Sequence, residues 1–132
     1  MTGTRGRELT HRVGLRYRDV DLFGHINHAA YHDLLDEARA NFFISANDGA
    51  LMAFVVRRVE LDYLAELRVE DRYVDVRTAP GRVGDRSITL IHEIVRRDGA
   101  VAASGLAVMV AFDAAARSSR SITQDERRRL TA

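Results

Sequence analysis

Asp19-Val20-Asp21-Leu22-Phe23-Gly24-His25-Ile26-Asn27 is the stretch on which the fold turns, because the hydrophobic period changes across it. Before it, residues 9–18 alternate. Leu9, His11, Val13, Leu15 and Tyr17 fall on one side and Arg12, Gly14, Arg16 and Arg18 on the other, the pattern of a half-buried strand. After it, Tyr31, Leu34, Leu35, Ala38 and Phe42 recur at three- and four-residue steps, one face of an amphipathic helix. His32, Asp33, Asp36 and Arg39 are assigned mostly to the opposite face. Asn27 or His28 stands where an N-cap belongs, and Asn47-Asp48-Gly49 supplies the stop. The stretch between is therefore a loop joining a strand to a helix start.

Residues 54–64, 73–78, 87–95 and 101–112 read as four further strands. Val55, Val59, Leu61 and Tyr63 alternate in the first. Ile88, Leu90 and Ile94 share a face in the third, with His92 among them as a core histidine. The last strand is nearly all apolar, the mark of a strand buried on both faces and central in its sheet. Its small residues Ala102, Ala103, Gly105 and Ala107 would let a helix pack closely. Turns are expected at Ala79-Pro80-Gly81 and Arg97-Asp98-Gly99, giving hairpins. The polar tail from Arg117 should finish in a short helix over residues 124–130. The expected class is α+β, one long helix packed on a five-stranded antiparallel sheet. One helix cannot cover both faces of such a sheet, so an exposed face or edge predicts a homodimer or homotetramer.

A chain of 132 residues suits one domain over 1–132, with polar termini at 1–8 and 117–132. Its 20 basic side chains nearly balance 19 acidic ones, which argues against a nucleic-acid partner. Every basic residue is arginine, whose planar fork suits phosphate and carboxylate groups. The absence of cysteine excludes disulfides, thiolate catalysis and thiolate metal sites, and fits a reducing compartment. Residues 1–10 lack the apolar run of a signal peptide, and no stretch is apolar enough to span a membrane. A cytoplasmic protein without a membrane partner is the expectation.

The loop also carries chemistry. Asp19, Asp21, His25 and Asn27 precede a helix start, whose unpaired N–H groups and positive dipole end can stabilise an oxyanion. A nearby carboxylate can act as general base on water or as nucleophile. Gly24 permits a tight turn. The same residue types are ordinary loop and cap residues, so composition alone leaves both readings open. His28 and His32 share a helix face that Asp21 or Asp36 could complete as a metal site. The H-E-x-x-H pattern is absent, since Ala29 and Ala30 follow His28, and no metal is expected.

The run Arg16-Tyr17-Arg18-Asp19-Val20-Asp21-Leu22-Phe23-Gly24-His25-Ile26-Asn27-His28-Ala29-Ala30-Tyr31 resembles the D-x-D-x-x-G-H-x-N-x-x-x-Y signature of 4-hydroxybenzoyl-CoA thioesterase-like proteins, a branch of the hot-dog fold. Glu37-Ala38-Arg39 resembles the family's continuation on the helix, and Val56-Arg57-Arg58-Val59-Glu60-Leu61-Asp62-Tyr63 the strand that follows. The resemblance implies hydrolysis of an acyl-CoA or acyl-carrier-protein thioester, with coenzyme A as part of the substrate and no other cofactor. It places the catalytic carboxylate at Asp21 and the oxyanion-type backbone N–H near His28. His25 and Asn27 would position water, the carboxylate or the carbonyl, while Asp19 braces the loop. Tyr31 packs in the core or lines the acyl pocket. Arg57, Arg58, Arg82 and Arg86, ideally from two subunits, would meet CoA phosphates unless they are solvated surface charges, and Ser87 opens the later strand beside them. Glu37, in a buried ion pair or as a substitute carboxylate, stands in reserve. A noncatalytic acyl-thioester-binding module of the same fold is the alternative. Two departures stand out: Glu66 and Glu70 occupy positions where relatives usually carry proline and glycine. Position 28 is His where many relatives have Asn.

Overall fold

In the computed structural model, which describes residues 7–131, strand β1 (Leu9–Gly14) passes through a 3-10 turn (Tyr17–Asp19) and the loop into α1 (His28–Ala46). Strands β2 (Phe54–Tyr63), β3 (Tyr73–Val83), β4 (Ser87–Arg96) and β5 (Val101–Asp113) follow. A two-residue strand β6 (Ser118–Ser119) and helix α2 (Gln124–Thr131) close the chain. The sheet order is β1-β3-β4-β5-β2, antiparallel throughout, with β6 beside the end of β5. The expected helix on a five-stranded antiparallel sheet is present, and the sheet curls around α1. The N-terminal tail expected over residues 1–8 lies outside the described residues as far as residue 6, and the C-terminal Ala132 also lies outside them. Among the described residues, no helix is long and apolar enough to cross a membrane.

β1 is shorter than the alternation predicts. The chain turns at residue 16, where Asp19 N–H donates to the Arg16 carbonyl and the Arg16 guanidinium grips the Asp19 carboxylate at 3.0 and 3.3 Å. That turn throws Tyr17 outward, 84% exposed, instead of into the core. The turn expected at Ala79-Pro80-Gly81 is also corrected. Pro80 lies within β3 opposite Leu90, and the chain reverses at residues 84–86, where Gly84 N–H meets the Ser87 carbonyl at 2.8 Å. Pairing with β1 stops at Thr78, so the missing N–H of Pro80 costs no ladder bond on that side, and the register shifts just beyond it. The turn at Arg97-Asp98-Gly99 is where the sequence places it, with Gly99 at φ 94°.

The helix buries Tyr31, Leu34, Leu35, Ala38 and Phe42 as the spacing requires. It ends at Asn47, with the Gly49 N–H on the Ile44 carbonyl at 2.9 Å and Gly49 at φ 90°. Arg39 is a correction. It lies four residues after Leu35 and three before Phe42, hence on the inner face, and is only 4% exposed. It sits between two apolar clusters. One gathers Tyr31, Leu34, Leu35 and Ala38 against Val74, Val76, Ile94 and Ala103; the other gathers Phe42 and Phe43 against Ile88, Leu90, Met109 and the α2 residue Leu130. His92 is the core histidine expected, its Nδ1 3.1 Å from the Thr78 hydroxyl. Among the described residues, His92 Nε2 and two Arg39 nitrogens are buried without a hydrogen-bond partner.

β5 departs from the reading of a strand buried on both faces. Ala103, Ala107, Met109 and Ala111 are buried toward the helix, whereas Ser104, Leu106, Val108 and Val110 on the opposite face are half-buried, and the middle strand is β4. Gly105 is demanded by the neighbouring strand: a Cβ there would lie 1.9 Å from the Glu60 carbonyl oxygen of β2. Gly105→Ala should therefore push β2 off β5. The expected loss is about 1–3 kcal/mol of stability or more, read as a lower midpoint of chemical unfolding. Burial, helped by the Arg39 charge, pulls His92 from 6.5 to about 3, so the ring is neutral in the fold. Its contribution to stability is complete above pH 6.5 and is lost as pH falls toward 3, because the unfolded chain takes up the proton first. Unfolding midpoints measured from pH 7 to pH 4 should fall less steeply for His92→Gln than for the wild type.

Candidate active site

The loop from Asp19 to Asn27 folds back on itself before α1 begins. Val20 and Ile26 form a β-bridge, and Asp21 N–H donates to the His25 carbonyl at 2.8 Å. Gly24 supplies the φ of 81° at the bend. Asp21 Oδ1 accepts the N–H groups of Phe23 and His25 at 2.9 and 3.0 Å. Those bonds, the one from Phe23 foremost, hold the Asp21 carboxyl below its ordinary value. Oδ2 receives no hydrogen bond from the described residues.

Asn27 locks the loop to the helix. Its Oδ1 caps the Ala30 N–H at 2.9 Å, and its Nδ2 and backbone N–H both donate to the Asp19 carbonyl, at 2.8 and 2.7 Å. Among the described residues, the backbone N–H groups of His28 and Ala29 find no partner, leaving two donors at the positive end of α1. The loop is also pinned to the segment after β2: Ile26 N–H donates to the Leu67 carbonyl at 2.7 Å, and His25 bridges to Arg68. Ile26 and Leu67 are buried, which anchors that seam.

A pocket of about 280 Å³ opens here. Asp21, His25, His28 and Glu66 supply its polar wall; Tyr31, Tyr63, Leu64 and Leu67 supply much of its apolar wall. The His28 ring stacks on Tyr63 at 4.3 Å, and Tyr63 meets Tyr31 edge-on at 5.0 Å. Tyr31 is thus both a core residue, 3% exposed, and a pocket wall, with burial pushing its phenol pKa up.

The other residues singled out from sequence fall elsewhere. Asn27 does not line the pocket, and its side-chain amide is committed to the cap and to Asp19. Arg57 and Arg58 lie exposed on β2, where Arg58 pairs with Glu60. Arg82, Arg86 and Ser87 lie around the β3–β4 reversal; Ser87 aligns with Val110 of β5, far along the ladder from the Ile94–Ala103 pair nearer the pocket. Glu37 is exposed, not buried as expected; it binds His11 at 2.8 Å beside a second cleft of about 300 Å³ on the β1 side of α1. Asp19 is held by Arg16 and braces the loop. Among the described residues, no group of three or more His, Asp or Glu side chains is placed to hold a metal. The residues that sequence reasoning did not assign to the site include Glu66, Tyr63, Leu64 and Leu67; the one signal was that Glu66 departs from the family pattern.

Residues 15–130 match the model of the thioesterase-like superfamily, and the chain belongs to it. It is similar to a predicted thioesterase from Bacillus stearothermophilus, with 27% identity, TM-score 0.84 and 94% of each chain covered. It is also similar to a thioesterase from Thermus thermophilus solved with coenzyme A and zinc, with 28% identity and TM-score 0.80 over 92% of this chain and 90% of that one. A DHNA-CoA thioesterase from Staphylococcus aureus, at 16% identity, shares the fold, with TM-score 0.75 over 86% of this chain and 80% of that one. No curated protein matches the chain. The hot-dog fold expected from the loop signature is thereby shown.

Asn27→Ala removes both the cap on the Ala30 N–H and the side-chain bond to the Asp19 carbonyl. It should cost about 1 kcal/mol in denaturant unfolding. Asn27→Asp should recover part of that loss, since it restores the acceptor for Ala30 but not the donor to Asp19.

Proposed function

We propose that this protein hydrolyses the thioester bond of an acyl-CoA, releasing a carboxylic acid and the free thiol. One observation carries the reading: the ionised Asp21 carboxylate is fixed beside a pocket at the N-terminus of α1, where two backbone N–H groups are free among the described residues. With the carbonyl oxygen of the thioester on those donors, the Asp21 carboxylate takes a proton from water as the water oxygen bonds to the carbonyl carbon. The C–S bond then breaks, and the departing thiolate leaves with that proton. Direct attack by Asp21 on the same carbon is the other route, and both start from the ionised carboxylate. His25 and His28 lie in the pocket wall to orient water and carbonyl; Asn27 acts by building the loop. Tyr31, Tyr63 and Leu64 form the apolar surface for the acyl group. No metal or redox cofactor enters the scheme.

The functional unit we propose is a homodimer, or a pair of such dimers. Among the described residues β2 pairs with β5 alone, so its other edge is an open ladder of ten residues that ends at the pocket. Leu22 and Phe23, next to Asp21, are 99% and 82% exposed, and Tyr63 and Leu64 are exposed at the pocket rim. A second copy set on that edge covers these side chains. Arg57, Arg58, Arg82, Arg86 and Ser87 reach CoA phosphates in this scheme only from the partner subunit.

The test is thiol release from a panel of aliphatic and aromatic acyl-CoAs, with the mass in solution measured alongside. Asp21→Asn should lower kcat by about 10²–10⁴-fold. Because its carboxyl is held low, the acid limb of kcat/KM that belongs to Asp21, identified as the limb missing from Asp21→Asn, should lie below the ordinary carboxylate range. Inertness toward every acyl-CoA would overturn the hydrolytic reading; full activity of Asp21→Asn would remove Asp21 from it.

A further inference from the structure

Glu66 enters the pocket from the segment after β2, at a position where the chain departs from the pattern it otherwise resembles. Its Oε1 lies 2.5 Å from His25 Nε2. A carboxylate oxygen at that separation stabilises a proton on Nε2 and repels the lone pair of a bare nitrogen, so it favours the Nε2–H tautomer. Once Nε2 is the protonated nitrogen, Nδ1 is the atom through which a neutral ring accepts a hydrogen.

The backbone around this pair is secured without the Glu66 side chain. Arg96 Nη1 donates to the Glu66 carbonyl at 2.9 Å, Ile26 N–H reaches the Leu67 carbonyl at 2.7 Å, and His25 bridges to Arg68. Both partners of the pair are nearly half exposed, 45% for His25 and 49% for Glu66, so the contact adds little to stability. Its consequence is therefore local, at a ring that lines the same pocket as Asp21.

We infer that Glu66 is a positioning residue of the active site, holding the proton on Nε2 of His25 and presenting Nδ1 as the ring's acceptor. The inference rests on the thioesterase reading for the kinetic consequence and on geometry alone for the state of the ring. This is the arrangement in which a carboxylate fixes one imidazole nitrogen so that the other can work. Glu66 does not touch the scissile bond.

The test combines ¹⁵N NMR of the histidine rings in the free protein with acyl-CoA kinetics of Glu66→Ala, Glu66→Gln and Glu66→Asp. The wild-type His25 ring should be protonated at Nε2, and Glu66→Ala should show mixed tautomers with an unchanged unfolding midpoint. In the same variant kcat should fall about tenfold while KM changes less than about twofold. Glu66→Gln, which keeps an acceptor oxygen, should hold the tautomer, and Glu66→Asp should restore part of kcat. An unchanged ring, an unchanged kcat, or a loss confined to KM in Glu66→Ala would each overturn the inference. If the wild type cleaves no thioester, the hydrolytic reading fails, and the ring spectra still decide whether Glu66 sets His25.

Discussion

The burial of one face of α1 in the curl of the sheet is the constraint on which the rest depends. Leu35, Ala38 and Phe42 are at most 1% exposed, and they meet residues from β3, β4 and β5. That packing fixes the rotation of the helix and therefore the place of its first turn. Gly105 extends the same constraint to the far edge, because β2 can approach β5 so closely only where no Cβ intervenes. The helix interior is not uniformly apolar. Arg39 lies among these contacts with two nitrogens lacking a partner and the third 3.6 Å from the Asp36 carboxylate, and burial lowers its pKa. A buried cation so thinly paired is costly, and the surrounding apolar clusters offset it.

With the helix start fixed, the loop before it has little freedom. Asn27 joins Asp19 to Ala30, Ile26 is sealed against Leu67, and the Asp21 carboxylate closes over two backbone N–H groups. The outcome is a charged group whose ionisation is secured by main-chain donors, set at the positive end of a helix. Burial raises the pKa of a carboxyl group; the Asp21 carboxyl is exposed and held low by its hydrogen bonds. That suits chemistry which begins from the anion.

The site is also asymmetric in what supports it. Its polar wall is attached to the core through backbone bonds, whereas its rim, at Leu22, Phe23, Tyr63 and Leu64, is apolar and open to solvent. The rim adjoins the unpaired edge of β2. The proposed dimer would cover this surface and close an edge otherwise open to pairing with other chains.

The strand-to-helix order, the helix face, its cap and stop, and the loop holding Asp21 and His25 were legible in the sequence. Each is a local property: periodicity, capping chemistry and turn residues act over a few positions. What failed locally failed for nonlocal reasons. Pro80 reads as a turn, yet it stays in β3 because β1 has already ended beside it. Arg39 reads as polar and outward, yet rotation of the helix against the sheet carries it inward. Tyr17 reads as core, yet the Arg16–Asp19 pair turns the chain before the strand can reach it. Glu66 lies far along the chain from the loop and meets His25 only because the end of β2 closes on that loop. The sequence by itself determined the loop that could carry the chemistry; the tertiary structure decided which residues share its pocket and brought Glu66 to it, since only packing brings distant segments within reach of one another.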